Sequence, residues 1–104
     1  LRAILKSEEK HVNIEKIQKT VADYFKLKVS TLKAKNNSKA IAIPRQIGMY
    51  LCRELTKASL PEIGRSFGGK HHTTVIYSIK KVQHQKSSNK DYAKLIKMFF
   101  DSLK

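Results

Sequence analysis

This sequence predicts an all-α domain of about six helices, arranged around a helix–glycine turn–helix unit. Three observations carry that prediction. Each periodic apolar segment repeats at helical spacing, and none alternates with the period of a strand. Residues 59–83, SLPEIGRSFGGKHHTTVIYSIKKVQ, read as a short helix, a glycine stop and a longer second helix. The chain has 104 residues, 40% of them hydrophobic, enough for one modest core.

Residues 1–11 are a mixed-charge run with Ile4 and Leu5 as apolar positions. The chain opens on Leu1 and not Met, so this run is expected to be the end of a linker helix from a missing upstream domain. The domain proper is expected over 12–104. Asn13 is placed to cap the first helix, with Val12 stapled to Ile17. Ile14, Ile17, Val21, Tyr24 and Phe25 keep one face to about Lys26. Leu27 and Val29 pin the next turn, and Ser30 can cap a brief helix through Leu32. Asn36-Asn37-Ser38 is a loop signal. Pro44 is expected in or near the first turn of the following helix, whose apolar face is Ile47, Tyr50, Leu51 and Leu55.

In the organising unit, Ser59 and Glu62 have capping-box spacing, and Pro61 falls in the first turn. Ile63 and Phe67 share a face, and Gly68-Gly69 end the helix because glycine takes the left-handed cap without strain. The second helix starts near His71, with Val75, Ile79 and Val82 inward beside Ile76, leaving Thr73, Thr74, Tyr77, Ser78, Lys80 and Lys81 for its other faces. A polar break over 86–89 separates it from a last helix, capped by Ser88 and Asp91 and striped by Tyr92, Leu95, Ile96, Phe99 and Leu103. Two helices joined by a short glycine turn are the layout of a helix-turn-helix, whose second helix enters a DNA major groove N-terminus first.

Charge narrows the function. There are 22 Lys+Arg against 8 Asp+Glu, a net charge of +14. A balance this basic points to a polyanion: nucleic acid or an acidic membrane surface. Residues 26–45 carry Lys26, Lys28, Lys33, Lys35, Lys39 and Arg45 and no acid. Residues 63–90 carry Arg65, Lys70, Lys80, Lys81, Lys86 and Lys90, again with no acid. Two such tracts around a helix-turn-helix pattern favour nucleic acid over a merely solvated surface. No apolar run approaches the length of a membrane span. Cys52 is alone, so no intrachain disulfide forms.

Catalysis finds no support. Asp23, Glu54, Glu62, Asp91 and Asp101 share no motif, and an enzyme is not expected. No metal site is expected either: adjacent His71 and His72 on a helix point about 100° apart. Gly64 to Lys70 matches G-x-x-x-x-G-K, but His71 stands where a P-loop needs Ser or Thr, and no strand precedes it.

Leu60-Pro61-Glu62-Ile63-Gly64, Phe67-Gly68-Gly69 and His72-Thr73-Thr74-Val75 resemble the signature of the C-terminal DNA-binding domain of the DnaA family of bacterial replication initiators. Residues 13–22 and Pro44-Arg45-Gln46 resemble the same domain upstream, so the likeness covers about 12–82, with a looser match in the final helix. The resemblance implies a Trp-repressor-like helix-turn-helix fold. It implies binding of nine-base-pair duplex boxes at the chromosomal origin, one monomer per box, with helix 71–86 in the major groove and basic loop 33–39 near the minor groove. The base contacts it implies are His71, His72, Thr73 and Thr74. The phosphate contacts are Arg45, Gln46, Arg53, Leu60, Pro61 and Lys70. Lys35, Asn37 and Lys39 are its minor-groove candidates. These placements agree with the preference of short polar side chains and free helix-start N–H groups for base edges and phosphates.

No cofactor is implied for this fragment, since ATP would belong to the missing upstream ATPase domain. Acidic phospholipid is implied only for the full-length protein, and the location is cytoplasmic and nucleoid-associated. Two departures stand out. His71 replaces the family's usual Asp, and Asn36 and Asn37 replace its arginine-rich loop. The alternatives are a helix-turn-helix transcription regulator, or a basic module that binds a protein or acidic lipid.

Overall fold

The computed structural model describes residues 12–36 and 38–103. The expected linker helix over 1–11 lies outside them. The described residues form six helices: α1 (Ile14–Tyr24), α2 (Val29–Leu32), α3 (Lys39–Leu55), α4 (Leu60–Ser66), α5 (His72–Ser88) and α6 (Lys90–Leu103). The all-α expectation holds, and α4, its turn and α5 are the helix-turn-helix.

Local chemistry sets most boundaries where they were expected. The Asn13 side chain accepts the Lys16 N–H at 2.7 Å and starts α1. Helix α1 ends at a left-handed Lys26 (φ 57). There Lys26 N–H donates to Asp23 O at 3.1 Å and Leu27 N–H to Ala22 O at 2.8 Å, a Schellman closure without glycine. Ser59 Oγ accepts the Glu62 N–H at 3.2 Å and starts α4.

Four boundaries differ. Helix α2 starts at Val29 with Lys28 at its N-cap and no side-chain cap hydrogen bond, so Ser30 lies inside it and does not cap it. Helix α3 starts at Lys39, so Pro44 lies inside it and not in its first turn. Helix α5 runs on to Ser88 and leaves Asn89 as the whole break. Asn89, not Ser88, caps α6: its Oδ1 accepts from Asp91 N–H at 2.9 Å and Tyr92 N–H at 3.1 Å. Asn is a better acceptor cap than a serine already held in a preceding helix, where Ser88 Oγ donates to His84 O.

The core is one cluster with α3 at its centre, packed most extensively on α5 and next on α1. Ile17 and Val21 from α1, Ile47 and Leu51 from α3, Ile63 from α4, Val75 and Val82 from α5 and Ile96 from α6 are all fully buried. Phe67 ends α4 inside this cluster, its ring passing over Gly48 of α3. Ser78 of α5, expected on an outer face, is buried as well. Gln18 Nε2 donates to Ser66 O at 2.7 Å and ties α1 to the end of α4. At the far end of α5, Lys86 Nζ lies 3.4 Å from the Tyr50 hydroxyl and 5.9 Å from its ring centre, linking α5 to α3.

Candidate nucleic-acid interface

The turn between α4 and α5 is where the charged loop and the second helix meet. Gly68 (φ 88) and Gly69 (φ 73) both take left-handed backbone, as the glycine stop requires. Gly68 does more than turn the chain. A Cβ there would fall 2.0 Å from the Lys33 carbonyl oxygen, so only glycine lets the turn lie against the basic loop. Lys70 Nζ reaches the Ala34 carbonyl at 3.4 Å from the same turn.

Arg45 holds that loop from the other side. Its Nε donates to Leu32 O at 2.9 Å, and its Nη2 donates to Ala34 O at 2.8 Å and to Asn36 O at 2.7 Å. These carbonyls follow the end of α2 and have no helical acceptor role left, so a planar fork of donors satisfies them together. Arg45 is only 5% exposed. Arg45 is thus a buried brace for the loop. Burial lowers its guanidinium affinity for protons from the usual value. The Asn36 side chain adds an Asx turn, accepting the Ser38 N–H at 2.8 Å.

The result is a cluster of positive charge. Lys70 has its pKa lowered by burial first, then by the neighbouring charges of Arg45 and Lys35. Three cations that repel one another sit where the loop meets the helix-turn-helix, a place that an incoming anion would stabilise. Lys35 is exposed, and Lys39 is exposed on the first residue of α3. Asn37 lies outside the described residues.

The first turn of α5 is open. His71, His72, Thr73 and Thr74 are all exposed. His71 is the N-cap: its Nδ1 accepts the Thr73 N–H at 3.2 Å and lies 2.8 Å from Thr73 Oγ1. His71 therefore stands outside the helix, and the expected 100° divergence from His72 does not apply. The two rings lie against each other, tilted by 33°, with centres 4.4 Å apart. No group of three or more potential ligands for a metal occurs among the described residues.

The remaining predicted contacts spread outward. Gln46 is half-buried on α3 beside Arg45, and Arg53 is exposed near that helix's end. Leu60 and Pro61 occupy the first two positions of α4, where the Leu60 N–H has no acceptor within the helix and Pro61 has no N–H to leave unpaired. No hydrogen bond or charge interaction among the described residues joins Arg53, Leu60 or Pro61 to the cluster. The brace by Arg45 and the seat of Gly68 on Lys33 were not legible in the sequence. Both are contacts between a side chain or glycine and distant carbonyls, and no periodic pattern records such contacts.

A charged loop braced against the turn between two packed helices, with the second helix's first turn exposed, defines a helix-turn-helix domain. Within that class, the family described as the bacterial DnaA protein helix-turn-helix matches residues 14–82, and the chain belongs to it. Relatives called chromosomal replication initiator protein DnaA include one from Geobacter sp. (strain M21), 47% identical over 92 residues, covering 88% of this chain and 20% of that protein. Another, from Geobacter metallireducens, is 55% identical over 82 residues, covering 79% of this chain and 18% of the relative. The chain thus spans about a fifth of the curated relatives it matches. A crystal structure described as a DNA replication initiation factor superposes with a TM-score of 0.79 at 33% identity, over 96% of this chain and 31% of that one. A replication initiator DnaA bound to AMPPCP and single-stranded DNA superposes with a TM-score of 0.70 at 36% identity, over 99% of this chain and 31% of that one.

Proposed function

We propose that this chain binds duplex DNA sequence-specifically, at nine-base-pair origin boxes, for initiation of chromosomal replication. Helix α5 enters the major groove by its N-terminus, where His71, His72, Thr73 and Thr74 face base edges. Gln46, Arg53, Lys70 and the first-turn residues Leu60 and Pro61 meet phosphates. Lys35, Asn37 and Lys39 serve the minor groove. The observation that carries this reading is the convergence of Lys35, Lys70 and the open start of α5 on one braced unit. The position of this chain within DnaA relatives supports it.

On this reading the chain acts as one monomer per box in the cytoplasm. It catalyses nothing and needs no cofactor of its own, and contact with acidic phospholipid belongs to the longer protein. The test is fluorescence anisotropy with a box duplex and a scrambled duplex of equal length at several salt concentrations. The box is expected to win by about 100-fold or more. With about 6–8 phosphates neutralised, log K should fall against log salt with a slope of about −5 to −7. Equal binding of both duplexes would reduce the chain to a nonspecific polycation and overturn the reading.

A further inference from the structure

Tyr77 is the most exposed large apolar residue among the described ones, at 59%. The next most exposed, Tyr24, packs its ring edgewise on Phe99 at 5.2 Å and on Phe25 at 5.0 Å. Tyr77 makes no such ring contact. Its recorded neighbour is a cation: Lys81 Nζ stands 5.8 Å from its ring centre, one helical turn along. An aromatic held outward by a lysine, on a helix whose inner face is Val75, Ser78 and Val82, has no work in the core.

Its register is the informative part. Tyr77 lies four residues after Thr73, so both occupy the same side of α5. At 1.5 Å per residue it stands about 6 Å further along the axis, close to two base-pair steps. The face that carries Thr73 at the helix start therefore carries an aromatic ring one turn deeper. The major groove offers one apolar feature to such a ring, the C5-methyl group of thymine. An ammonium beside it matches the phosphate that walls the groove.

We infer that Tyr77 is a further specificity-determining residue, its ring packing on a thymine methyl beyond the bases read by His72 and Thr73, with Lys81 on the flanking phosphate. This rests on the DNA-binding reading above. It extends the contact surface of α5 by a full turn past the helix start. The ring, not the hydroxyl, makes the contact, so Tyr77→Phe should serve as well as the native residue.

The experiment is a box duplex in which each thymine in turn is replaced by deoxyuridine, which removes only the methyl group. Wild type, Y77F and Y77A are titrated against each, after circular dichroism has shown equal helicity. Y77A should bind the unmodified box about 4-fold more weakly or worse. At one deoxyuridine position wild type should lose the same factor, and Y77A should lose nothing more. Y77F should track wild type throughout. The inference fails if Y77A weakens box and scrambled duplexes alike, if Y77F loses as much as Y77A, or if no deoxyuridine abolishes the difference. Should wild type itself not separate box from scrambled duplex, the DNA-reading proposal falls and takes this one with it. That outcome is distinct from the other three.

Discussion

Gly64 and Lys70 clasp the helix-turn-helix turn between them. The Lys70 N–H donates to the Gly64 carbonyl at 2.8 Å. A Cβ on Gly64 would lie 2.2 Å from the Lys70 carbonyl oxygen. The chain therefore closes on itself across α4's last turn, and this closure aims the start of α5.

Gly64→Ala sets two effects against each other. Helix propensity favours alanine by about 1 kcal/mol. The added methyl meets backbone, which cannot step aside as a side chain can, and overpacking of this kind costs about 1–3 kcal/mol, occasionally more. The clash should win. A net loss of about 1–2 kcal/mol is expected, read as a lowered urea midpoint, together with weaker box binding because the turn is displaced. Unchanged stability would mean that the turn is not closed as described.

Arg45→Lys keeps the charge and loses the fork. The carbonyls of Leu32, Ala34 and Asn36 would share one ammonium in place of a planar guanidinium. Hydrogen bonds from a charged donor are worth about 1.5–3 kcal/mol each in mutational series, and a lysine can recover part of that. Stability should fall by about 1–3 kcal/mol in urea titration while helicity by circular dichroism is retained. A variant as stable as wild type would show that Arg45 does not brace the loop.

The substitution of His71 for the family's usual Asp can be separated into capping and reading. His71→Ala removes the Nδ1 acceptor from Thr73 N–H and should cost about 0.5–2 kcal/mol. His71→Asp restores an acceptor and adds a negative charge at a helix N-terminus, so stability should equal or exceed wild type. Thermal unfolding of the three proteins ranks them. The same substitution frees Thr73 Oγ1 from the imidazole, 2.8 Å away in wild type. A change in base preference for H71D without loss of stability would assign His71 to readout as well as capping.

Much of this fold was legible because helices are written as local periodicity. Asn13 and Ser59 marked their boundaries by side-chain capping, and Gly68-Gly69 by left-handed backbone, all acting within three or four residues. The misplaced boundaries share a cause. Pro44 tolerates a helix interior here because α3 is the buried centre of the domain, and tertiary packing overrides the local rule. Ser88 and Asn89 are both cap residues, and only the continuation of α5 decides between them. In the site, His71 to Thr74 were legible as an open helix start. Arg45 was not: a basic residue beside a basic loop reads as one more surface charge until the carbonyls it faces are known. Tyr77 had a faint signal, an aromatic outside the Val75–Ile79–Val82 stripe, and its exposure gives that signal weight.

Cys52 gives a prediction about pH. It is fully buried in α3, and burial pushes its thiol from the ordinary 9.0 up to about 12. The folded chain holds that proton more tightly than the unfolded one. The stability this provides is complete below pH 9 and is lost as the pH climbs toward 12. At pH 8 a thiol reagent should label Cys52 only as fast as the domain opens, and fully in urea. Rapid labelling of the native protein would contradict the packing of α3.

The central claim is that the braced loop and the start of α5 form one DNA-binding face. An NMR titration of the isotope-labelled chain with box duplex tests it most directly, amide by amide. Shifts should concentrate at residues 33–39, 60–62 and 70–81, with α6 and the α1 face left quiet. Shifts centred on α6, with residues 70–77 unmoved, would contradict the account.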